Sequence, residues 1–207
     1  MLVPVDLPAM FIADARGLDF LNSVATPVDA PIDWIADGAG LVGWLAQAGM
    51  VPEAELADLA ERAMPGELDR VADQARDLRE WFRGFVNAHR GAPLDGRALG
   101  ELTPLSRLLE RDEAYQRLVL HAGGRLALET TRRWRSPESL LIPIGEALAR
   151  LVVDEDFRHV KACEGHGCTL VFADHTRTRA RRWCTMSVCG NRAKVAAHRK
   201  RQRARGD

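Results

Sequence analysis

Cysteine is absent from the first 162 residues of this 207-residue chain. Nowhere do about 18 uncharged apolar residues run together, as a membrane-spanning helix requires. The first ten residues hold Pro4, Asp6 and Pro8 where a signal peptide needs an apolar stretch behind positive charge. The chain therefore reads as cytoplasmic, with no membrane partner. It also lacks H-E-x-x-H, a phosphate-cradling glycine loop and any nucleophile motif, so no enzymatic activity is expected. Internal repeats and low-complexity tracts are missing. What is present, 46% hydrophobic and 28% charged residues, excludes a disordered chain and is enough to build a core.

Net charge is zero overall, yet it is unevenly spread. Residues 1–156 carry 16 basic and 26 acidic side chains, a net of −10, whereas residues 157–207 carry 13 basic and 3 acidic ones, a net of +10. An acidic body with a basic end piece points to a polyanionic partner for the latter, a solvated tail being the alternative. All four cysteines lie in the basic piece, as C-x4-C-x15-C-x4-C. In a cytosolic chain thiols stay reduced, and two equally spaced pairs suit a metal better than disulfides. Cys163, Cys168, Cys184 and Cys189 are thus the expected ligands of one zinc ion. Four thiolates fill a tetrahedral shell, so the site should be structural and not catalytic.

Hydrophobic periodicity predicts a short extended lead-in at 10–12, a helical start at 17–23, and helices at 41–50, 53–64 and 67–89. Runs at 115–121 and 125–131, joined through Gly123 and Gly124, predict a β-hairpin. Ser136, Pro137 and Glu138 start a helix over 140–153, whose first turn Pro143 should delay or kink. The acidic cluster Asp154 to Asp156 marks a boundary. The fold class is α+β: a mainly helical domain with a hairpin over 1–155, then a small zinc finger over 156–207. In the finger, strands are expected at 169–172 and 180–184, followed by a helix that opens on the last ligand. Knuckle, hairpin and helix in that order make a treble clef. Because its apolar residues are few, the finger should depend on metal, and its loss should leave residues 1–150 folded.

Arg181-Arg182-Trp183-Cys184 followed by Cys189-Gly190-Asn191-Arg192-Ala193-Lys194 closely resembles the CGNR zinc finger. Gly17-Leu18-Asp19-Phe20-Leu21-Asn22-Ser23 and Trp44-Leu45-Ala46-Gln47-Ala48-Gly49 are similar to the ABATE domain that precedes this finger in bacterial stress-induced transcription regulators. That family usually has threonine where this chain has Ser23, which keeps the hydroxyl. The resemblance implies a transcription regulator with a sensing or interaction domain ahead of a DNA-binding finger.

The helix after Cys189 reads the same way on physical grounds. At 100° per residue Arg192, Arg199 and Arg203 form one stripe, and Lys194, His198, Arg201 and Arg205 a nearly opposite one, with little apolar surface between. With Asn191 and the Arg-rich segment Arg177, Arg179, Arg181 and Arg182, the residues Arg192, Lys194, His198, Arg199, Arg201 and Arg203 are the expected contacts to duplex DNA. Docking on an acidic protein partner is the alternative. Asp19 and Asn22, three apart in an apolar segment, could line a small-molecule pocket with Trp44, or could cap and bond backbone. A small-molecule effector and a second copy of the chain complete the expected partners. His166 and His175 flank the cysteines but are surplus to a four-thiolate shell.

Overall fold

The computed structural model describes residues 8–26, 31–195 and residue 202. It opens with α1 (Arg16–Leu21) and a two-residue strand pair, β1 (Val24–Ala25) against β2 (Ile32–Asp33). Three helices follow: α2 (Gly38–Gln47), α3 (Glu53–Arg62) and α4 (Glu67–His89). α2 begins earlier than its apolar pattern, because the Asp37 side chain accepts from Gly40 N–H at 2.7 Å and caps the first turn. Two short helices unpredicted by periodicity, α5 (Ala98–Glu101) and α6 (Thr103–Leu109), lead to the hairpin β3 (Ala114–Leu120) and β4 (Leu126–Arg132). Gly123 and Gly124 turn it with φ of 91° and 78°, where side chains are disfavoured. A 3₁₀ turn, Pro137–Leu140, then feeds α7 (Leu141–Asp154). Pro143 falls in the first turn of α7, where its missing N–H costs no helical bond.

The remaining elements belong to the finger. A 3₁₀ turn, Phe157–His159, leads into β5 (Val160–Ala162), which pairs antiparallel with β6 (Val171–Ala173). Cys163 and Cys168 sit in the connection between them. The second strand expected at 180–184 does not form. Backbone geometry explains why. Leu170 C=O and Asp174 N–H bond toward β5, while Val171 and Ala173 turn their backbone groups the other way. Those outward groups are already taken. The Asn22 amide donates to Val171 C=O at 2.8 Å and accepts from Val171 N–H at 3.0 Å, and Ala173 N–H donates to Ala13 C=O at 2.8 Å. The body occupies the edge that the chain 180–184 would need. Arg179, at φ 51°, also breaks an extended path there.

A continuous set of buried side chains therefore joins body and finger. Leu18, Phe20 and Leu21 of α1 pack with Trp44 of α2, Phe82 of α4 and Leu148 of α7, and the same core reaches Phe157, Val160 and Phe172. Phe20 meets Trp44 edge-on at 5.7 Å between ring centroids, and Phe85 meets Phe157 at 5.9 Å. α1 lies so close to α7 that a side chain at Gly17 would fall 2.7 Å from Ala147 C=O. Arg79, buried in α4, donates to both Asp33 carboxylate oxygens at 2.8 and 2.7 Å and to Ser23 Oγ at 3.0 Å. A threonine hydroxyl would serve that last contact equally well.

Asn22 is 1% exposed, and truncating it would strand both a donor and an acceptor of Val171. Asn22→Ala is expected to destabilise the whole chain by about 2–4 kcal/mol in urea unfolding. An Asn22→Ala chain with wild-type stability would show that water replaces the clamp.

Candidate metal centre

Four sulfur atoms converge where the sequence spacing placed them. The Sγ atoms of Cys163, Cys168, Cys184 and Cys189 all lie within 4.8 Å of one another, with Cys168 and Cys184 at 4.0 Å. A tetrahedral zinc with bonds of about 2.3 Å spaces its sulfurs by roughly 3.8 Å, so the cage needs only slight contraction to fit the ion. Cys163, Cys184 and Cys189 are buried and Cys168 is half-buried. The chemistry of the donor set also calls for a cation. The hydrogen bond with Cys168, together with burial, pushes the Cys184 thiol far above the ordinary range. Burial pushes Cys189 up to about 12, and the Cys184 hydrogen bond draws Cys168 down to about 5. Packed this closely, the sulfurs cannot all ionise without a positive charge among them. The chain thus carries one structural zinc site, closed by four thiolates.

Local structure holds the cage. Cys163 Sγ accepts from Cys184 N–H at 3.2 Å and from Gly165 N–H at 3.4 Å, amide bonds that favour a thiolate. A side chain at Gly165 would lie 2.7 Å from Cys189 Sγ, so only glycine leaves room there. The Thr185 side chain accepts from Val188 N–H and starts a π turn, Met186–Gly190, which delivers Cys189. Residues 191–195 continue as helix, as expected.

One hub of the finger went unrecognised in the sequence. Asp174 is fully buried and accepts from Thr176 N–H and Oγ1, Arg181 N–H at 2.9 Å and the Lys161 ammonium at 2.7 Å. Burial opposes its charge, yet these donors hold its carboxyl well below the usual range. The Asp-x-Thr spacing, which favours a side-chain-closed turn, was the available signal.

The candidate DNA contacts divide into three groups. Arg177, Arg179, Arg182, Asn191, Arg192 and Lys194 are exposed around the cage. Of these, Arg182 also pairs with Glu164 and lies over the Trp183 ring, and Arg179 donates to Asp174 C=O. Arg181 turns inward instead. Its guanidinium stands 4.2 Å from the Phe172 ring centroid, pairs with Asp14, and donates to the carbonyls of Ile12, Trp183 and Cys184. It fastens the finger to the body. His198, Arg199, Arg201 and Arg203 lie outside the described residues.

The trio Asp19, Asn22 and Trp44 is built into the core. One oxygen of Asp19 accepts from the N–H groups of Ile12 and Ala13, both at 2.9 Å, and Trp44 packs against Phe11 and Phe20. Asp19 does not cap its helix: that position is Ala15, with no side-chain bond. Two cavities open elsewhere, and neither touches these three residues. One, of about 580 Å³, lies along α2, α3 and the start of α4; the other, of about 180 Å³, lies beside Arg111 and Arg132. His166 is exposed, and His175 pairs with Glu155 at 2.8 Å.

A helical body whose core runs into a closed four-thiolate cage defines a zinc-finger protein. The chain belongs to the ABATE family, described as "Putative stress-induced transcription regulator", which matches residues 14–155. The CGNR zinc finger matches residues 159–202. That family is one of regulators and not of enzymes. No curated protein matches the chain. Among the described residues, no helix is long and apolar enough to cross a membrane.

Zinc analysis of protein purified without chelator should give one ion per chain, and Cys184→Ser should lose it. Because the core is shared, that variant should also melt at lower temperature when followed by a body tryptophan such as Trp44. Unchanged melting would show the two parts to be independent. A second outcome concerns Asp19, whose pKa burial raises to about 6. An unfolded aspartate ionises near pH 3.9, so the folded form holds the extra proton between about pH 4 and 6 and stability falls as pH rises through that window. Asp19→Asn keeps an oxygen for both N–H groups and removes the buried charge. It should raise the melting temperature at pH 7 by about 3 °C and flatten the slope between about pH 4 and 6.

Proposed function

We propose that the chain is a DNA-binding transcription regulator whose finger contacts duplex DNA. The observation that carries this reading is the charge division. Net +10 sits on the segment that zinc organises, with arginines, a lysine and an asparagine exposed around a cage that offers no open coordination position for chemistry. Phosphates are the polyanion such a surface meets most favourably, and arginine can also pair with guanine edges. The body, at net −10, is repelled by DNA and serves sensing and assembly. A stress signal or small effector acting on the body would reach the finger through α1, which holds β6 by Asn22 and lies beside the Asp14 that pairs with Arg181. Two copies act together, because one small finger covers only about 600–1,000 Å² of DNA and a linked second finger raises the effective concentration.

Binding of the zinc-loaded chain to duplex DNA, read by fluorescence anisotropy, should weaken about a thousandfold from 50 to 200 mM salt if roughly six phosphates are engaged. Changing Arg199 and Arg203 together to Glu should abolish it. Binding that ignores salt, or that survives the double variant, would overturn this assignment of the surface. Absence of DNA binding with retained affinity for an acidic protein would favour the docking alternative.

A further inference from the structure

The acidic body contains a basic cavity. The recess of about 180 Å³ between the end of α6, the exit of β4 and the turn that feeds α7 is lined by Arg111, Arg132, Arg133 and Arg135, set against Glu113 and Glu138. Its lining sums to +2, whereas residues 1–156 as a whole sum to −10. Two of the arginines brace the walls. Arg132 donates to Asp112 at 2.9 Å and pairs with Glu146 of α7 at 3.0 Å, and Arg135 pairs with Glu113 at 2.7 Å. Arg111 and Arg133 differ, since neither makes an ion pair among the described residues. Arg133 lies 4.5 Å from the Tyr115 ring centroid, a contact that orients the guanidinium and uses none of its N–H donors. Glu138 shows which charge the place favours. The Ser136 hydroxyl, its own N–H and the nearby charges of Arg111 and Arg70 hold its carboxyl below the usual range. A single carboxylate does not neutralise the two guanidiniums of Arg111 and Arg133.

Donor chemistry and volume together define the ligand. A guanidinium presents a planar fork of N–H donors that matches the oxygens of an oxyanion, and two such forks facing one recess favour an ion that can accept from several directions. Sites for drug-sized molecules begin near about 300 Å³, so this smaller cavity suits a compact ion. Residues 111–135 sum to +3, against −13 for the rest of residues 1–156, so an anion is drawn to this part of the body and repelled elsewhere on it. We propose that the cavity binds a small tetrahedral oxyanion of the phosphate class between Arg111 and Arg133, supplied either as a free ion or by the backbone of DNA. The site also has a route to the finger. Its wall continues into α7, α7 lies against α1 at Gly17, and α1 holds β6 through Asn22. A free oxyanion would give the effector of the reading above its chemical class. The proposal rests on that reading for this consequence only, because the ion binds whether or not the finger meets DNA.

Calorimetric titration of inorganic phosphate into the zinc-loaded full chain, at constant ionic strength, tests this. One ion per chain should bind with a dissociation constant of about 1 mM, and sulfate should compete where chloride does not. Arg111→Gln and Arg133→Gln should each weaken binding about tenfold. Both side chains are exposed, so circular dichroism should not change. Glu138→Gln, which removes a like charge from the lining, should tighten binding about threefold. Arg117→Gln, on the hairpin outside the lining, should leave it unaltered. No binding by the wild type would overturn the proposal. So would binding that survives Arg111→Gln combined with Arg133→Gln, since the ion would then sit elsewhere, and so would loss of binding in Glu138→Gln, since the arginines would then serve that carboxylate alone. Anisotropy with duplex DNA separates the two sources, each of which supports the site. With a free ion, the double variant keeps wild-type DNA affinity and loses its response to added phosphate. With a backbone phosphate, the double variant loses affinity and its salt dependence becomes shallower by about one to two phosphates. The calorimetry contains no DNA, so failure of the DNA-binding reading leaves its result standing.

Discussion

Everything in the finger's placement depends on one buried amide. Asn22, at the end of α1, reads the backbone of Val171 as a neighbouring strand would, donating to its carbonyl and accepting from its N–H. Because β6 gives its other side to β5, this contact and the Ala13 carbonyl together fill the strand's free edge. A strand satisfied in that way must lie against α1, and the cage built beside it inherits that position. Arg181 completes the arrangement from the far side, bonding Asp14 and Ile12 in the lead-in as well as Cys184 beside the metal. The segment Gly17 to Ser23 thereby acquires a physical meaning residue by residue: close approach to α7 at Gly17, a held lead-in at Asp19, the strand clamp at Asn22 and an arginine seat at Ser23.

The metal contributes something the core cannot. The finger places few large apolar groups inside, among them Leu170, Val171 and Phe172, and these serve the body's core as much as its own. What brings the cysteine pairs together is the need of four crowded sulfurs for one cation. Body and metal each supply part of the ordering, the former fixing β6 and the latter fixing the loop that returns Cys184 and Cys189.

Much of this was legible in the residues. The cysteine spacing located the cage because four thiolates at those intervals have few other uses, and the long helix α4 followed from a period of 3.6 sustained over 23 residues. The finger's second strand was not legible. Residues 180–184 return the chain to the third ligand, but whether a strand forms there depends on a free edge, and Asn22, 149 positions from Val171, had taken it. The same separation hid the role of Asn22, while Asp19 bonds the backbone of Ile12 and Ala13 in a lead-in whose path the residues alone did not fix. A polar side chain in an apolar segment reads alike whether it awaits a ligand or distant backbone. Alternating leucines likewise announced the hairpin without saying which of its faces the body would cover.

The boundary drawn by composition near residue 156 is a boundary of charge and of family match, but the buried contacts ignore it. The finger is therefore poorly suited to exchange. A chimaera that carried residues 159–202 onto an unrelated body would keep all four sulfurs and still leave Val171 without its amide and Arg181 without Asp14. The finger and α1 are bound to change together or not at all.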